Sequence, residues 1–360
     1  MSDIPGWGPH GPYGAPPGWS WNGYGWTPPP PPPKPGVIPL APLGANHIIG
    51  GAFATMRRYA KPLFAAAAAA YGLLAVVAAA SGVLAYVATR EHFRAVAEPG
   101  AVSWDDSRPI LIAFGLVWLG FMLATLVVNS FVQAACAATL HEAVLGRPAP
   151  FGAIWRRAWS RTPSVLAVTL LLSIVLMLPV AAFALLFLSL LFLMMTQSII
   201  PIGLVLPLFL VTLPLAAWLY VLFAFAPAAA ALETAGPFTA LRRSVSLVRG
   251  AWWRTFGISL LAGLIVVGVS LAFRLPLQFA APGPPQVDPD DPMSTYLLDQ
   301  LRSQFGLYAA LGLLGSFLTQ LAATVFLPLV TALLYLDRRI RKENLAHTLR
   351  EASAAPAPVP

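Results

Sequence analysis

One cysteine, Cys136, lies inside an apolar run, so no intrachain disulfide can form. Charge is scarce as well. Only 10% of the 360 residues are charged, against 58% hydrophobic, and no charged residue occurs between Thr162 and Leu232. Lysine appears three times against nineteen arginines. The N-terminus lacks a basic segment followed by an apolar one, so no cleavable signal peptide is expected. No nucleophile–histidine–acid set, phosphate-cradling glycine loop or metal cluster is visible. The five histidines are scattered. His141 beside Glu142 offers two ligands where zinc wants three or four. These absences leave an enzyme as the least supported class and give no reason to expect a cofactor.

What is present is grease. Mean hydropathy is +0.73, and several apolar runs exceed the roughly 20 residues that a membrane helix needs. Six can be drawn: Leu63–Ala88, Ile110–Leu140, Val165–Met195, Ile199–Leu232, Thr255–Ala281 and Tyr308–Leu336. The uncharged stretch is too long for one span at about 1.5 Å per residue. "MTQSIIP" (Met195 to Pro201) is its most polar point and divides it into two. The expected fold is therefore all-α and integral to the membrane, with six transmembrane helices.

The N-terminal tail, the two connections Leu140–Val165 and Leu232–Thr255, and the C-terminus then share one side. That side carries 17 Lys/Arg and 6 Asp/Glu, a net of +11. The opposite side nets −3. Basic residues gather on the cytoplasmic side of membrane proteins, so both termini are expected in the cytoplasm, with the chain in the plasma membrane. In such a chain the overall charge of +8 reports orientation, and no nucleic-acid partner is expected.

An arginine pair recurs on that side in "GAFATMRRYAKPL", "FGAIWRRAWSRTP" and "TALRRSVSLVRGAWWRTFGI". Apolar residues accompany each at helical spacing: Ile49, Phe53, Met56 and Ala60; then Phe151, Ile154, Trp155, Ala158 and Trp159; then Phe238, Leu241, Val245, Val248 and Trp252. Pro62, Pro163 and Gly250 punctuate the passage into the next span. The expected unit is an interfacial amphipathic helix followed by a helical hairpin, used three times as parallel repeats. Arg57, Arg58, Arg156, Arg157, Arg242 and Arg243 become candidate anchors for anionic lipid headgroups. Glu233, ten residues before Arg243, is a candidate structural ion-pair partner of Arg242 or Arg243.

The third copy carries a resemblance. "FAPAAAALETAGPFTALRRSVSLVRGAWWRTFGI" (Phe225 to Ile258) resembles the bacterial membrane-domain family named after glycerophosphoryl diester phosphodiesterase. The matching positions are Pro227, Glu233, Ala240, Leu241, Arg243, Ser244, Arg249, Gly250 and Trp253. "KPGVIPLAPLGANHIIGGAFATMRRY" and "LLYLDRRIRKENLA" resemble that family's ends, so the likeness runs from Pro35 to Ala346. It implies an integral membrane domain of largely unassigned role. The catalytic domain that follows in some members needs a His-Arg-Gly opening and a Glu-x-Asp, and neither tripeptide occurs here.

The tails differ in kind. Residues 1–36 are rich in Pro, Gly and aromatics without periodicity, which cannot build a core. They are expected to be a disordered cytoplasmic tail, and Pro28–Pro33 a polyproline rod open to a protein partner. Residues 37–346 form the membrane domain and residues 347–360 a second disordered tail. "DPDDP" (Asp288 to Pro292) lacks the glycine and distal glutamate of a calcium loop and is read as a solvated outer loop.

Polar residues inside the spans are few. Asn129 and Gln133 stand at i, i+4 in the second span and Gln320 in the sixth. Such residues either line a polar pathway or hydrogen-bond between helices. Gly312, Gly315 and the alanine run Ala65–Ala70 read as small-residue packing surfaces. The leading expectation is a non-enzymatic scaffold or lipid-organising envelope protein. The alternative is a transporter or permease for a lipid-like or amphipathic substrate, and a continuous polar lining would discriminate the two.

Overall fold

The computed structural model describes residues 20–21, 26–27, 36–39, 41–97, 103–196, 200–233, 236–280 and 307–343. The Pro28–Pro33 tract, the Asp288–Pro292 loop and residues 347–360 lie outside the described residues. In the N-terminal tail, Ser20–Trp21 pairs antiparallel with Trp26–Thr27. The rest of the described architecture is helical: α1 (Ala45–Arg58), α2 (Ala60–Ala97), α3 (Trp104–Leu145), α4 (Phe151–Thr196), α5 (Ile200–Phe223), α6 (Ala226–Leu232), α7 (Pro237–Val248), α8 (Trp252–Ala280) and α9 (Leu307–Glu343).

Six helices are long and apolar enough to cross a membrane. The chain is a multi-pass membrane protein. The uncharged stretch yields two spans, Phe151–Met195 and Leu206–Leu232. The expected fourth span is not continuous, however, because the helix breaks at Ala224–Phe225 between α5 and α6. A long-range contact holds the break. Ser244 Oγ, from α7, donates to the Leu222 carbonyl (2.8 Å) and accepts from the Phe225 N–H (3.2 Å). Two backbone groups freed by the break are thereby satisfied, as a low-dielectric setting demands.

The hairpins α2–α3, α4–α5 and α8–α9 each pack along their length, and an amphipathic segment precedes each. The three segments are not built alike. α1 ends at Tyr59 and α7 at Arg249, and Gly250 turns the chain into α8 at φ +82°. That left-handed angle is open to glycine at little cost. The second segment has no such break: α4 runs unbroken through Pro163. Pro62 likewise falls inside the first turn of α2, where its missing N–H costs nothing. The expectation that these two prolines divide helix from span is therefore corrected.

The apolar stripes need a correction too. α1 buries Ile48, Gly51, Ala52 and Thr55 against α9, while Phe53 stays 48% exposed. α7 buries Ala240, Ser244, Leu247 and Val248, while Phe238 is exposed. Each helix thus has two apolar rows, one packed on the bundle and one facing outward beside the arginines. The periodic residues divide between the two rows: Val248 is wholly buried and Ile49, Met56, Leu241 and Trp252 pack against the core, while Phe53 and Phe238 are exposed. In the second segment Ile154 and Ala158 are buried, and Trp155 and Trp159 lean edge-on against Phe131 of α3.

The core is concentrated at the basic end. It takes in Phe131–Leu145 of α3, Phe225–Ala230, Leu247 and Val248 of α7, and Val325–Leu336 of α9. Toward the opposite end the helices expose rows of Leu, Val and Phe, such as Leu111, Leu119, Val180, Leu188, Leu264 and Leu313. So much exposed apolar surface would be an aggregation hazard in water and is the lipid face of a membrane bundle. In the alanine run, Ala66, Ala67 and Ala70 are buried. Gly315 comes close enough to Phe273 that a Cβ would sit 3.2 Å from the ring. A Cβ on Gly312 would meet nothing within 4 Å.

A strap formed by residues 36–39 and 41–44 closes the basic end. The Val37 N–H donates to the Ala143 carbonyl at 3.1 Å. A Cβ on Gly36 would lie 2.0 Å from the Ala143 oxygen, so only glycine fits. Ile38 and Leu43 are wholly buried. The strap ends on Asp337 of α9, which is also wholly buried. Its Oδ1 accepts from the Leu43 N–H (2.8 Å) and from Arg341 Nε (2.9 Å), and its Oδ2 from Arg254 Nη1 (2.7 Å). The same two arginines donate to the Leu43 carbonyl, at 2.5 and 2.9 Å. One carboxylate and two guanidiniums therefore consume both backbone groups of Leu43 and tie strap, α8 and α9 together.

Candidate functional site

Below that basic end the helices part around a cleft of about 350 Å³. α3 contributes Asn129 and Gln133, α4 Thr169 and Ser173, α5 Tyr220, and α9 Gln320, Thr324 and Thr331. The three amides singled out in sequence thus meet at one place. Asn129 is also an interhelical partner, since Tyr71 of α2 donates to its Oδ1 at 2.5 Å. Thr169 shares its hydroxyl with Ser130 at 2.8 Å. Gln133 and Gln320 make no hydrogen bond to any described residue.

Leu126, Leu172, Leu176 and Leu327 complete the wall, giving the mixture of apolar surface and a few polar groups typical of small-molecule sites. Among the described lining residues there is no carboxylate, ammonium or guanidinium. Pro328 lines the cleft and has no N–H to give the Thr324 carbonyl one turn back. Tyr220 is 46% exposed and Gln320 is also exposed, so the cleft opens sideways between α5 and α9.

Depth follows from helix rise. Thr331 and Gln320 precede Asp337 by six and seventeen residues, or about 9 and 26 Å along α9. In a hydrocarbon core of about 30 Å, the cleft runs from near the basic interface past the midplane.

An ion-pair roof lies one turn above it. Tyr335, four residues beyond Thr331, donates to Glu233 Oε1. Glu233 caps α6, whose first turn holds the cleft residue Pro227. Arg243 reaches Glu233 through Nε (3.1 Å) and Nη2 (3.3 Å) and Glu343 through Nη2 (2.6 Å). Arg339 bridges the same two acids at 3.2 and 2.9 Å. Burial pulls the Arg243 guanidinium down, but the Glu233 hydrogen bond and charge, with Glu343 behind, hold it above the ordinary arginine value. The forked pair is planar and bidentate, a geometry lysine cannot supply. Arg338 and Lys342 of α9 donate to the last carbonyls of α7, Leu247, Ser246 and Arg249, fixing α7 against α9.

The candidate anchors divide in two. Arg57, Arg156 and Arg242 are exposed and have no hydrogen bond or ion pair among the described residues. Their neighbours are engaged: Arg58 lies 5.8 Å over the Tyr59 ring, Arg157 pairs with Glu142 at 3.2 Å, and Arg243 joins the roof. Glu233 pairs with Arg243 and not with Arg242. Sequence reading missed Asp337, Arg254, Tyr335, Arg339 and Glu343. All but Arg254 sit on α9, where an acid within a basic run was the one available signal.

A family model described as a domain of unknown function, DUF7847, matches residues 151–336. The chain belongs to that family. The DUF7847 match begins at the first residue of α4 and ends one residue before Asp337. It takes in the α4, α5 and α9 walls of the cleft, with Glu233, Arg243 and Tyr335 of the roof, while Asn129 and Gln133 lie before it. No curated protein and no solved structure shows a significant match.

Proposed function

We propose that this protein is a non-enzymatic, multi-pass protein of the plasma membrane that takes the polar head of a lipid-like, amphipathic molecule into its lateral cleft and moves it between the midplane and the basic interface. It is read as a transporter or permease. The observation that carries the proposal is the convergence of Gln133 and Gln320, which have no hydrogen bond among the described residues, on a cleft where Gln320 is exposed. An amide facing hydrocarbon without a hydrogen-bond partner is unfavourable, and a bound polar head or water offers it one. The uncharged lining favours a neutral or hydroxyl-rich head, and the exposed apolar flanks of α5 and α9 accommodate the tail. The charge split across the spans supports both termini in the cytoplasm. The resemblance of Phe225–Ile258 to the glycerophosphoryl diester phosphodiesterase membrane domain supports an integral membrane domain and leaves its role unassigned.

The scaffold or lipid-organising reading keeps one supporting observation, the exposed arginines Arg57, Arg156 and Arg242. In that reading anionic lipids, and a protein docked on Pro28–Pro33, are the partners. The test is transfer of a fluorescent lipid analogue with an uncharged head in proteoliposomes. The wild type is expected to accelerate transfer, and Gln133→Leu with Gln320→Leu to abolish the acceleration while leaving the melting profile in place. Equal rates with wild type, the double variant and empty vesicles would remove the transport reading and leave the scaffold.

A further inference from the structure

The α7 surface carries a groove of about 430 Å³ that is separate from the cleft. Phe238, Leu241 and Val245 form its apolar floor, and Arg242 and Arg249 stand along it. The two arginines are seven residues apart, Arg242 on α7 and Arg249 at the residue that ends it, and both are exposed. Neither side chain has a hydrogen bond or ion pair among the described residues, and Arg249 is engaged through its backbone alone, its N–H donating to the Val245 carbonyl and its carbonyl accepting from Lys342. Phe238 lies one turn before Arg242 and is 73% exposed. Aromatic ring, aliphatic floor and two free guanidiniums thus follow one another along a single helix at the bundle's basic end.

The same construction occurs on α1. Phe53 lies one turn before Arg57, and a groove of about 580 Å³ runs between them and Gly36–Val37 of the strap. In α4, Phe151 precedes the exposed Arg156. In all three copies the first arginine of the pair is free among the described residues, while the second is ion-paired in α4 and α7 and lies over the Tyr59 ring in α1. An Arg-Arg pair serving only as a charge signal for insertion gives no reason for that split.

We infer that the α7 groove seats an anionic phospholipid of the basic-side leaflet. Arg242 and Arg249 take its phosphodiester oxygens, and its acyl chain lies along Phe238, Leu241 and Val245. The α1 groove is the corresponding site with Arg57. Arg243 and Arg157 take no part in lipid binding, because Arg243 braces the roof and Arg157 holds Glu142, whereas Arg58 lines the α1 groove beside Arg57. The site needs the basic end to lie at headgroup level but does not depend on what occupies the cleft. Charge complementarity commits the occupant to an anionic lipid, and the apolar floor commits it to a lipid over a free anion.

The probe is phosphatidylglycerol titrated onto the full chain in phosphatidylcholine nanodiscs, read by native mass spectrometry. At the strength expected for one surface arginine, Arg242→Gln and Arg249→Gln should each lower phosphatidylglycerol affinity about fivefold. Arg242→Lys should retain most of it, and Phe238→Ala should lower it as well. Arg243→Gln should lower the melting temperature and leave the affinity within twofold. If Arg243→Gln fails to fold, Arg157→Gln against Arg156→Gln repeats the contrast on α4. Equal affinity in wild type, Arg242→Gln and Arg249→Gln would overturn the site. So would loss with Arg243→Gln and none with Arg242→Gln. Displacement by millimolar inorganic phosphate, with Phe238→Ala silent, would overturn the lipid assignment in favour of a bare phosphate site. Loss of lipid transfer in the cleft variants with unchanged phosphatidylglycerol affinity would separate this site from the cleft.

Discussion

Asp337→Asn should destabilise the basic end more than any other single isosteric change. The wild-type carboxylate is wholly buried and meets three donors, the Leu43 N–H, Arg341 Nε and Arg254 Nη1, at 2.7–2.9 Å. Asparagine keeps the shape. It keeps one oxygen for two of the donors but turns an N–H₂ toward Arg254, donor against donor, and removes the charge that balances two guanidiniums. Removing one partner of a buried ion pair costs roughly 3–5 kcal/mol. Arg254 and Arg341 are 31% and 36% exposed and keep the Leu43 carbonyl, so solvent returns part of the loss. An estimate of about 2–4 kcal/mol follows from that discount. At about 2 °C per kcal/mol for a chain of this size, the melting midpoint should fall by about 4–8 °C. The assay is thermal unfolding of purified protein in detergent, with wild type, Asp337→Asn, Asp337→Leu, Arg254→Leu and the double change Asp337→Leu with Arg254→Leu. The double variant should lose less than the sum of its parts, because replacing a buried pair with apolar groups spares the unpaired charge. A midpoint within 1 °C of wild type for Asp337→Asn would refute the view that this carboxylate holds the strap.

Two further outcomes follow from the same frame. Gly36→Ala places a methyl 2.0 Å from the Ala143 oxygen, so the strap must lift; amide exchange at Val37, whose N–H now donates to Ala143, should accelerate by at least an order of magnitude, and unchanged protection would show that the strap is not seated there. Reporter fusions after residues 45 and 345 should both report cytoplasm, and one within residues 279–300 the outside; opposite locations for the termini would contradict the six-span orientation.

The spans were readable because a bilayer imposes length and apolarity on every crossing, and the Thr162–Leu232 run could hold two. The break between α5 and α6 was not readable. Val221 to Ala226 is uniformly apolar, and the group that holds the break, Ser244, lies on α7. The strap was hidden for a similar reason. Val37, Ile38 and Leu43 follow no period, and the residue that secures them is 294 positions away from Leu43. Glu233 with Arg243 was legible as a local acid–base pair ten residues apart. Its further partners Tyr335, Arg339 and Glu343 required knowing which face of α9 turns inward. The cleft sits between these cases. Asn129, Gln133 and Gln320 stood out as polar residues in spans, but their meeting depends on the rotation of two helices, α3 and α9, which an almost uniformly apolar sequence does not encode locally.

The most direct test of the central claim is a photo-crosslinking amino acid at position 320, at the cleft mouth, compared with the same group at position 313, where Leu313 is 70% exposed on the lipid face of α9. After irradiation in native membranes, mass spectrometry of the adducts should give at position 320 an amphipathic molecule with a polar, uncharged head that is absent at position 313, and Gln133→Leu should deplete it. The same bulk phospholipid adducts at both positions, unaffected by Gln133→Leu, would contradict a cleft that selects its occupant.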